Sequence, residues 1–288
     1  VAPAPADTLL AGFLDDFDHG VPYVKDISYI GSMKEFRRSI PWMDDDASGF
    51  GDSYGDYETK VIAGNTFDYP ALHGAAILKA GYSFVSCSDE AIEDDLLSLN
   101  DYPYVDLILG KECQSKMGRG VKPLEYKTFS PAMQKAITGY CNQGGNLFVS
   151  GAYVGTDLWD NPLAPSLEAD RTFATEILKY QWRAGRAART GQVKSVPSPF
   201  NCLSGNYTYH NELNAESYVV ESPDAIEPAK GAYTVMRYSE NNLSAGVAYN
   251  GAYKTVVLGF PFESVRTENE RYTLMNAILN FFNMPNNP

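Results

Sequence analysis

Apolar and polar residues alternate along the first half of the chain in blocks typical of strands followed by helices. Short apolar runs that suit buried strands lie at residues 60–64, 82–86, 105–110 and 146–150. Segments with helical spacing lie between them, at residues 69–80, 88–99 and 131–143. Strands that alternate with helices in this way predict βαβ units and a mostly parallel α/β sheet.

The pattern changes in the second half of the chain. Residues 171–183 carry an apolar stripe typical of a helix that covers one face of a sheet. Ser, Asn, Gly and Tyr then dominate residues 190–250, where short apolar segments predict a small antiparallel extension of the same domain. A last strand is predicted at residues 254–258, and a final helix begins at a capping box formed by Thr267 and Glu270.

The best-defined stretch is residues 130–159. Ser130 is a suitable N-cap for a helix, and Gly144 and Gly145 suit a left-handed turn at its end. The following strand stops at residues 151–155, Gly-Ala-Tyr-Val-Gly, which has the form of the strand-to-helix turn that holds a nucleophile. Its central residue is Tyr153, and a phenol with a pKa near 10 is a poor acyl nucleophile at neutral pH. The alternative interpretation is a tight turn after a strand.

Composition excludes several classes of partner. The net charge is −13 and the sequence pI is about 4.7, so nucleic acid and anionic membrane surfaces are not expected partners. No apolar run is long enough to span a membrane. The four cysteines lack C-x-x-C spacing, which disfavours a zinc site, and buried free thiols are expected in a domain of this size. No cofactor is predicted.

The first 59 residues are predicted to be an irregular, acidic lead-in to one domain that extends over residues 1–288. No apolar strand is evident before residue 27, so we expect that an upstream segment is missing. Asp44, Asp46 and Asp52 imitate the opening of a calcium loop, but Gly55 replaces the bidentate Glu of the twelfth position. A solvated acidic loop is the alternative.

Candidate site residues follow the predicted strands, because ligands of parallel sheets bind beyond the carboxyl ends of the strands. These candidates are Cys87, Lys111, Glu112, Tyr153 and Glu263. Each also has a structural interpretation: Lys111 and Glu112 as an exposed charge pair, and Tyr153 as a residue packed beneath the next helix.

The three histidines, His19, His73 and His210, are widely separated and form no metal pair. His210 is the best remaining candidate for a base, although Tyr and His residues near a loop more often form hydrogen-bonded structure. His73 is expected to pack within a helix. Trp159 could stack on a sugar ring or fill the core.

Two short motifs suggest a family. The turn at residues 151–155 and the segment Gly-Phe-Pro-Phe-Glu at residues 259–263 resemble the class I glutamine amidotransferase-like fold, which implies a three-layer flavodoxin-like sandwich. In that family the turn carries cysteine and the later strand supplies histidine and an acid. Tyr153 stands at the cysteine position, Pro261 at the histidine position, and Glu263 keeps the acid.

Residues 73–84, 144–158 and 259–275 also resemble exported bacterial proteins of the golvesin-like or "putative xanthan lyase" family. The resemblance implies export and a degenerate, glutaminase-inactive domain. Such a domain binds a glycan or cell-envelope ligand, with Cys87, Lys111, Tyr153 and Trp159 as binding candidates, or supports a catalytic neighbour in a longer chain. The alternative is an active hydrolase or lyase acting on a polysaccharide or peptidoglycan fragment, which uses Tyr153 and Glu263 with help from His210 or Glu112.

Overall fold

The computed structural model describes residues 68–87, 89–111, 115–117, 124–161, 165–198, 203–212 and 219–286. Its helices are α1 (Asp68–Lys79), α2 (Asp89–Glu93), α3 (Pro131–Asn142), α4 (Thr156–Trp159), α5 (Glu168–Thr172) and α6 (Glu268–Phe282). Two 3₁₀ turns lie at Leu99–Asp101 and Phe262–Ser264, and a π-helix, Phe173–Leu178, continues directly from α5. The acidic lead-in and the strand predicted at residues 60–64 lie outside the described residues.

Seven of the described strands form one mixed sheet in the order β1-β4-β11-β10-β9-β6-β7. Strands β2–β3 and β5–β8 form two separate antiparallel pairs. The strand bounds are β1 (Tyr104–Gly110), β2 (Ser115–Met117), β3 (Leu124–Tyr126), β4 (Asn146–Gly151), β5 (Tyr180–Ala184), β6 (Gln192–Ser195), β7 (Asn206–Thr208), β8 (Ala225–Pro228), β9 (Tyr233–Tyr238), β10 (Ser244–Asn250) and β11 (Lys254–Leu258).

The predicted flavodoxin-like sandwich with a mostly parallel sheet is wrong. In the large sheet, β4 pairs parallel with β1 and β11, but the other neighbouring strands pair antiparallel. Residues 190–250 are not a small extension, because they supply β6, β7, β9 and β10 of this sheet. The sequence pattern identified strands but not their partners. A tight turn at residues 251–253 makes β10 and β11 antiparallel, and β11 then inserts beside β4.

Three other predicted elements differ from the structure in length or type. Residues 82–87 belong to no strand or helix, and Val85 is exposed. The helix predicted at residues 88–99 is only the five-residue α2. The helix predicted at residues 171–183 ends at Leu178, because Lys179 takes a left-handed conformation with φ 67° and the chain enters β5. Trp182 therefore lies on a strand that pairs with β8.

Local signals at helix ends were predicted correctly. The Ser130 hydroxyl accepts a hydrogen bond from the Met133 backbone N–H at 3.1 Å, and Gly144 ends α3 with φ 87°. Thr267 and Glu270 form the expected capping box at the start of α6. These groups lie within a few residues of each other, so local sequence was sufficient to identify them.

The sheet carries an apolar core on each face because alternate strand residues point to opposite sides. Phe148 of β4 and Val256 of β11 pack in the core that α1 and α6 cover. Leu147 and Val257 pack in the opposite core, which α3 and the π-helix cover. Strands β4 and β11 are therefore buried on both faces, as the apolar run at residues 146–150 predicted for β4.

Gly259 is predicted to tolerate no side chain. A Cβ atom at this position would lie 2.0 Å from the backbone oxygen of Asp224, and backbone cannot move aside as a flexible side chain can. We expect Gly259→Ala to lower the free energy of unfolding by about 3 kcal/mol or more, measured by urea denaturation. Gly139→Ala is the matched control, because nothing lies within 4 Å of its added Cβ and Gly139 is in α3. The control should be neutral or stabilising by about 0.5–1 kcal/mol. A Gly259→Ala variant as stable as the control would contradict the assignment.

Candidate functional site

The carboxyl ends of the three parallel strands meet at one edge of the large sheet. Lys111 directly follows β1, Tyr153 lies in the turn after β4, and Glu263 lies in the 3₁₀ turn after β11. The residues selected from the sequence therefore follow strands that end at the same edge of the sheet. Their side chains, however, make separate interactions with residues that the sequence analysis did not nominate.

His73 joins two elements across this part of the sheet. Its ring, on α1, is 1% exposed. Nδ1 lies 2.7 Å from Oδ2 of Asp106 on β1, and Nε2 lies 3.2 Å from Oε2 of Glu263. The ring also packs against Phe262, with 4.5 Å between ring centroids. The imidazole thus bridges the edge strand β1 and the turn that follows β11.

Both carboxylates keep this imidazole charged. Burial alone lowers the pKa of His73, because it disfavours the imidazolium form. The charge of Asp106 and the hydrogen bonds with Asp106 and Glu263 outweigh burial and raise the pKa of His73 to about 9. At neutral pH both ring nitrogens therefore carry protons and donate hydrogen bonds. An imidazolium has no lone pair with which to accept a proton, so His73 is not a general base in this state.

Asp224 anchors the turn that carries Tyr153. Its Oδ2 atom accepts hydrogen bonds from the backbone N–H groups of Gly155 and Thr156, each at 2.7 Å. Its Oδ1 atom accepts a hydrogen bond from the Thr156 hydroxyl, which also accepts one from the indole N–H of Trp182. The carboxylate therefore caps the start of α4, where unpaired N–H groups otherwise attract an anion.

The backbone of Asp224 makes two further hydrogen bonds. Its N–H donates to the Gly259 carbonyl oxygen at 2.7 Å, and its carbonyl oxygen accepts from the Tyr238 hydroxyl at 2.7 Å. Asp224 is fully buried. Burial raises the pKa of its carboxyl to about 7, although the hydrogen bonds from Thr156 and Gly155 act in the opposite direction. One residue thus connects the turn after β4 to the end of β11 and to β9.

Lys111 is paired within the protein. Its Nζ atom donates to both carboxylate oxygens of Glu221, at 2.7 and 2.6 Å. The Lys111 residue is 8% exposed, whereas Glu221 is exposed at the surface. The cation therefore neutralises a carboxylate of its own chain. Glu112, the other member of the predicted charge pair, lies outside the described residues.

Tyr153, in the turn after β4, and Trp159, at the end of α4, are both half-buried. Tyr153 packs against the core beneath α1 and α6. Trp159 packs against the opposite core, with its ring centroid 6.2 Å from that of Tyr180. The Tyr180 hydroxyl in turn donates to the Val154 carbonyl oxygen. Packing therefore orients both aromatic candidates.

The remaining candidates do not extend the site. His210 is 9% exposed, and its backbone bonds to Ser264 and Val220. Cys87 is exposed, in contrast to the buried thiol expected from the sequence, and partial burial together with the charge of Asp89 raises the pKa of its thiol. The calcium candidates Asp44, Asp46 and Asp52 lie outside the described residues. Within the described residues, no group of three or more His, Cys, Asp or Glu side chains could hold a metal ion.

An open cavity of about 350 Å³ lies elsewhere, between α3 and the segment formed by α5 and the π-helix. None of the candidate residues lines it; the lining residues are Gln134, Lys135, Thr138, Thr172, Phe173, Glu176 and Ile177. Within the described part of the chain, no helix has the length and apolar composition needed to cross a bilayer.

Sequence reasoning missed His73, Asp106 and Asp224 as interacting residues. Asp106 offered one signal, because it is the single charged residue in the apolar run at residues 105–110. A charge within a buried strand requires a partner. Asp224 lies in a Ser-Pro-Asp-Ala segment that resembles an ordinary turn, so no local pattern marked it.

Comparisons with known proteins do not assign a family. No family model and no curated protein matches the chain. Among solved structures, the chain is similar to an IFT52 N-terminal domain, with 15% sequence identity and a TM-score of 0.42, over 72% of this chain and 87% of that chain. A similarity this weak supports no inference about function.

The resemblance to the amidotransferase-like and golvesin-like or "putative xanthan lyase" families is therefore wrong. No family model supports it, and most neighbouring strands of the large sheet pair antiparallel, whereas the amidotransferase-like fold implies a mostly parallel sheet. The two motifs that suggested these families are short turns after strands, and glycine is common in such turns. Export, which followed from that resemblance, stays a prediction.

The His73 bridge predicts a loss of stability at alkaline pH. The pKa of His73 is about 9 in the folded protein and 6.5 for an unperturbed histidine. Its contribution is thus fully present below pH 6.5 and is lost as pH rises through 9. We expect the free energy of unfolding to fall by about 3 kcal/mol over this window, measured by urea denaturation at successive pH values.

His73→Gln is the control for this pH dependence. Glutamine retains hydrogen-bonding groups but does not titrate, so the variant should be less stable at pH 6.5 and should lose most of the decline between pH 6.5 and 9. An unchanged decline in the variant would assign the pH dependence to other groups.

Asp224 is predicted to be essential for the turn after β4. Asp224→Ala leaves the N–H groups of Gly155 and Thr156 without their acceptor in a buried site. We expect a loss of about 3 kcal/mol or more in the free energy of unfolding. Asp224→Asn keeps one acceptor oxygen and the side-chain volume, so its loss should be smaller. Alanine at the exposed Asp160 is the control, and an equal effect at both positions would show that Asp224 does not anchor the turn.

Proposed function

We propose that this chain is a non-catalytic domain that supports a neighbouring domain or partner protein through surface contacts. The capping of α4 by Asp224 is the observation that carries the proposal. The turn that would present a nucleophile has its N–H donors at Gly155 and Thr156 paired with a carboxylate of the same chain. A substrate anion would have to displace that buried carboxylate to use them.

The residues available for proton transfer support the same conclusion. Glu263 is 1% exposed and lies against the His73 imidazolium. Neither group is accessible to a substrate in solution, and each neutralises charge of the other. Tyr153 occupies the nucleophile position with a phenol, where the amidotransferase-like turn would carry a cysteine thiol, and a phenol is the poorer acyl nucleophile. The three side chains stabilise the fold in this arrangement.

A protein partner fits the surface better than a glycan. Protein-binding surfaces expose apolar side chains beside charged ones, whereas sugar rings stack on exposed aromatic faces. Among the described residues, the exposed large apolar side chains are mostly aliphatic: Leu78, Val85, Leu96, Leu97 and Leu167, with Tyr233 as the aromatic one. Trp159 is half-buried in packing contacts. A cell-envelope glycan is the competing ligand.

Turnover assays test the proposal. Purified protein should release no ammonia from glutamine and no reducing ends from xanthan or peptidoglycan above the rate of a buffer blank. Tyr153→Phe and Glu263→Gln should give the same result, with folding checked by circular dichroism. Turnover by the wild-type protein that either folded variant abolishes would overturn the proposal, and the active substrate would identify the reaction class. Failure of Glu263→Gln to fold would leave Tyr153→Phe as the deciding variant.

A further inference from the structure

The turn after α2 exposes two adjacent leucines. Leu96 is 74% exposed and Leu97 is 38% exposed. Exposed leucines are common singly, but this turn exposes two leucines at consecutive positions. We call residues 94–101 the acidic leucine turn.

The backbone of the acidic leucine turn is hydrogen-bonded in place. The N–H groups of Leu96 and Leu97 both bond to the Ala91 carbonyl oxygen, at 2.9 and 3.1 Å, and the Asp95 N–H bonds to the Ile92 carbonyl oxygen at 3.2 Å. Asp95 takes a left-handed conformation with φ 56°. The residue after a left-handed helix end usually packs its apolar side chain back onto the helix, but Leu96 points into solvent. The leucine pair is thus presented by a defined turn.

The chain segment that contains the leucine pair carries acidic residues and no basic ones. Residues 89–101 contain six acidic residues and no Lys or Arg: Asp89, Glu90, Glu93, Asp94, Asp95 and Asp101. Asp94, Asp95 and Asp101 are exposed, and none of them takes part in the ion pairs formed between described residues. Their charges therefore add to a local negative potential around the apolar pair.

The negative charge of the acidic leucine turn disfavours several classes of binding partner. A second copy of this chain carries the same acidic turn and a net charge of −13, so two copies repel each other there. Anionic lipid and nucleic acid are repelled for the same reason. The described part of the turn has no aromatic ring on which a sugar could stack. A protein segment with apolar and basic side chains complements both the exposed leucines and the acidic residues of the turn.

We propose that the acidic leucine turn is a docking surface for a partner segment that places apolar side chains on Leu96 and Leu97 and Lys or Arg side chains beside Asp94, Asp95 and Asp101. This inference rests on the proposed function and adds the chemistry of the partner. The leucines supply the apolar contact, and the carboxylates supply the preference for a basic partner.

A model peptide tests the surface directly. The probe is a fluorescein-labelled, 14-residue amphipathic peptide of leucine and lysine, titrated with the whole chain and followed by fluorescence anisotropy at physiological salt. We expect saturable binding that Leu96→Ser/Leu97→Ser weakens by about tenfold or more. Asp94→Asn/Asp101→Asn should weaken binding and reduce its salt dependence. Leu167→Ser, at another exposed leucine, should leave the affinity unchanged.

Two further peptides separate docking from general attraction between a cation and an acidic protein. A serine–lysine peptide of equal charge and a leucine–glutamate peptide of equal apolar content should both bind about tenfold more weakly or not at all. Equal binding of the serine–lysine peptide would overturn the proposal, as would unchanged affinity in the leucine variant. The proposed absence of catalysis is tested by turnover, so a failure here leaves that result standing.

Discussion

The buried carboxylate of Asp224 ties together the part of the fold on which the candidate site depends. Its side chain holds the backbone of Gly155 and Thr156, while its own backbone bonds to Gly259 and accepts a hydrogen bond from Tyr238. The turn after β4, the end of β11 and strand β9 therefore meet at one residue. The contact is close, since a single Cβ atom at Gly259 would collide with it. Parallel and antiparallel halves of the sheet are joined at this point.

The His73 bridge has a related role on the α1 side of the sheet. An isolated charge is expensive to bury, but an imidazolium between two carboxylates satisfies its own donors and one oxygen of each acid. Removing either acid would leave an incompletely compensated charge in the core. The bridge connects a helix, an edge strand and the turn after β11, so it limits their relative movement. His73, Asp106 and Glu263 are residue types that often act in catalysis, but here they pair with one another inside the fold.

The carboxyl edge of the sheet and the acidic leucine turn differ in the groups that are accessible to a ligand. At the carboxyl edge, Lys111 pairs with Glu221, and Asp224 occupies the start of α4. The acidic leucine turn has the opposite character, because its leucines are exposed and its carboxylates are unpaired with cations of the described residues. Accessible apolar surface contributes to protein recognition, and complementary charge contributes to the choice of partner. A domain that acts through contacts at its surface is consistent with both regions.

Local sequence by itself determined the Ser130 cap, the Thr267–Glu270 capping box and the buried strand at residues 146–150, because hydrogen bonds and side-chain alternation over a few residues set these features. It also placed Glu263 and Tyr153 after strands. Tertiary structure alone decided strand order and the partners of the buried charges. His73 meets residues 33 and 190 positions away in the chain, and Asp224 meets Gly155 across 69 positions. Such pairs form only when the sheet brings distant segments together, and no periodicity within either segment encodes the partner in the other.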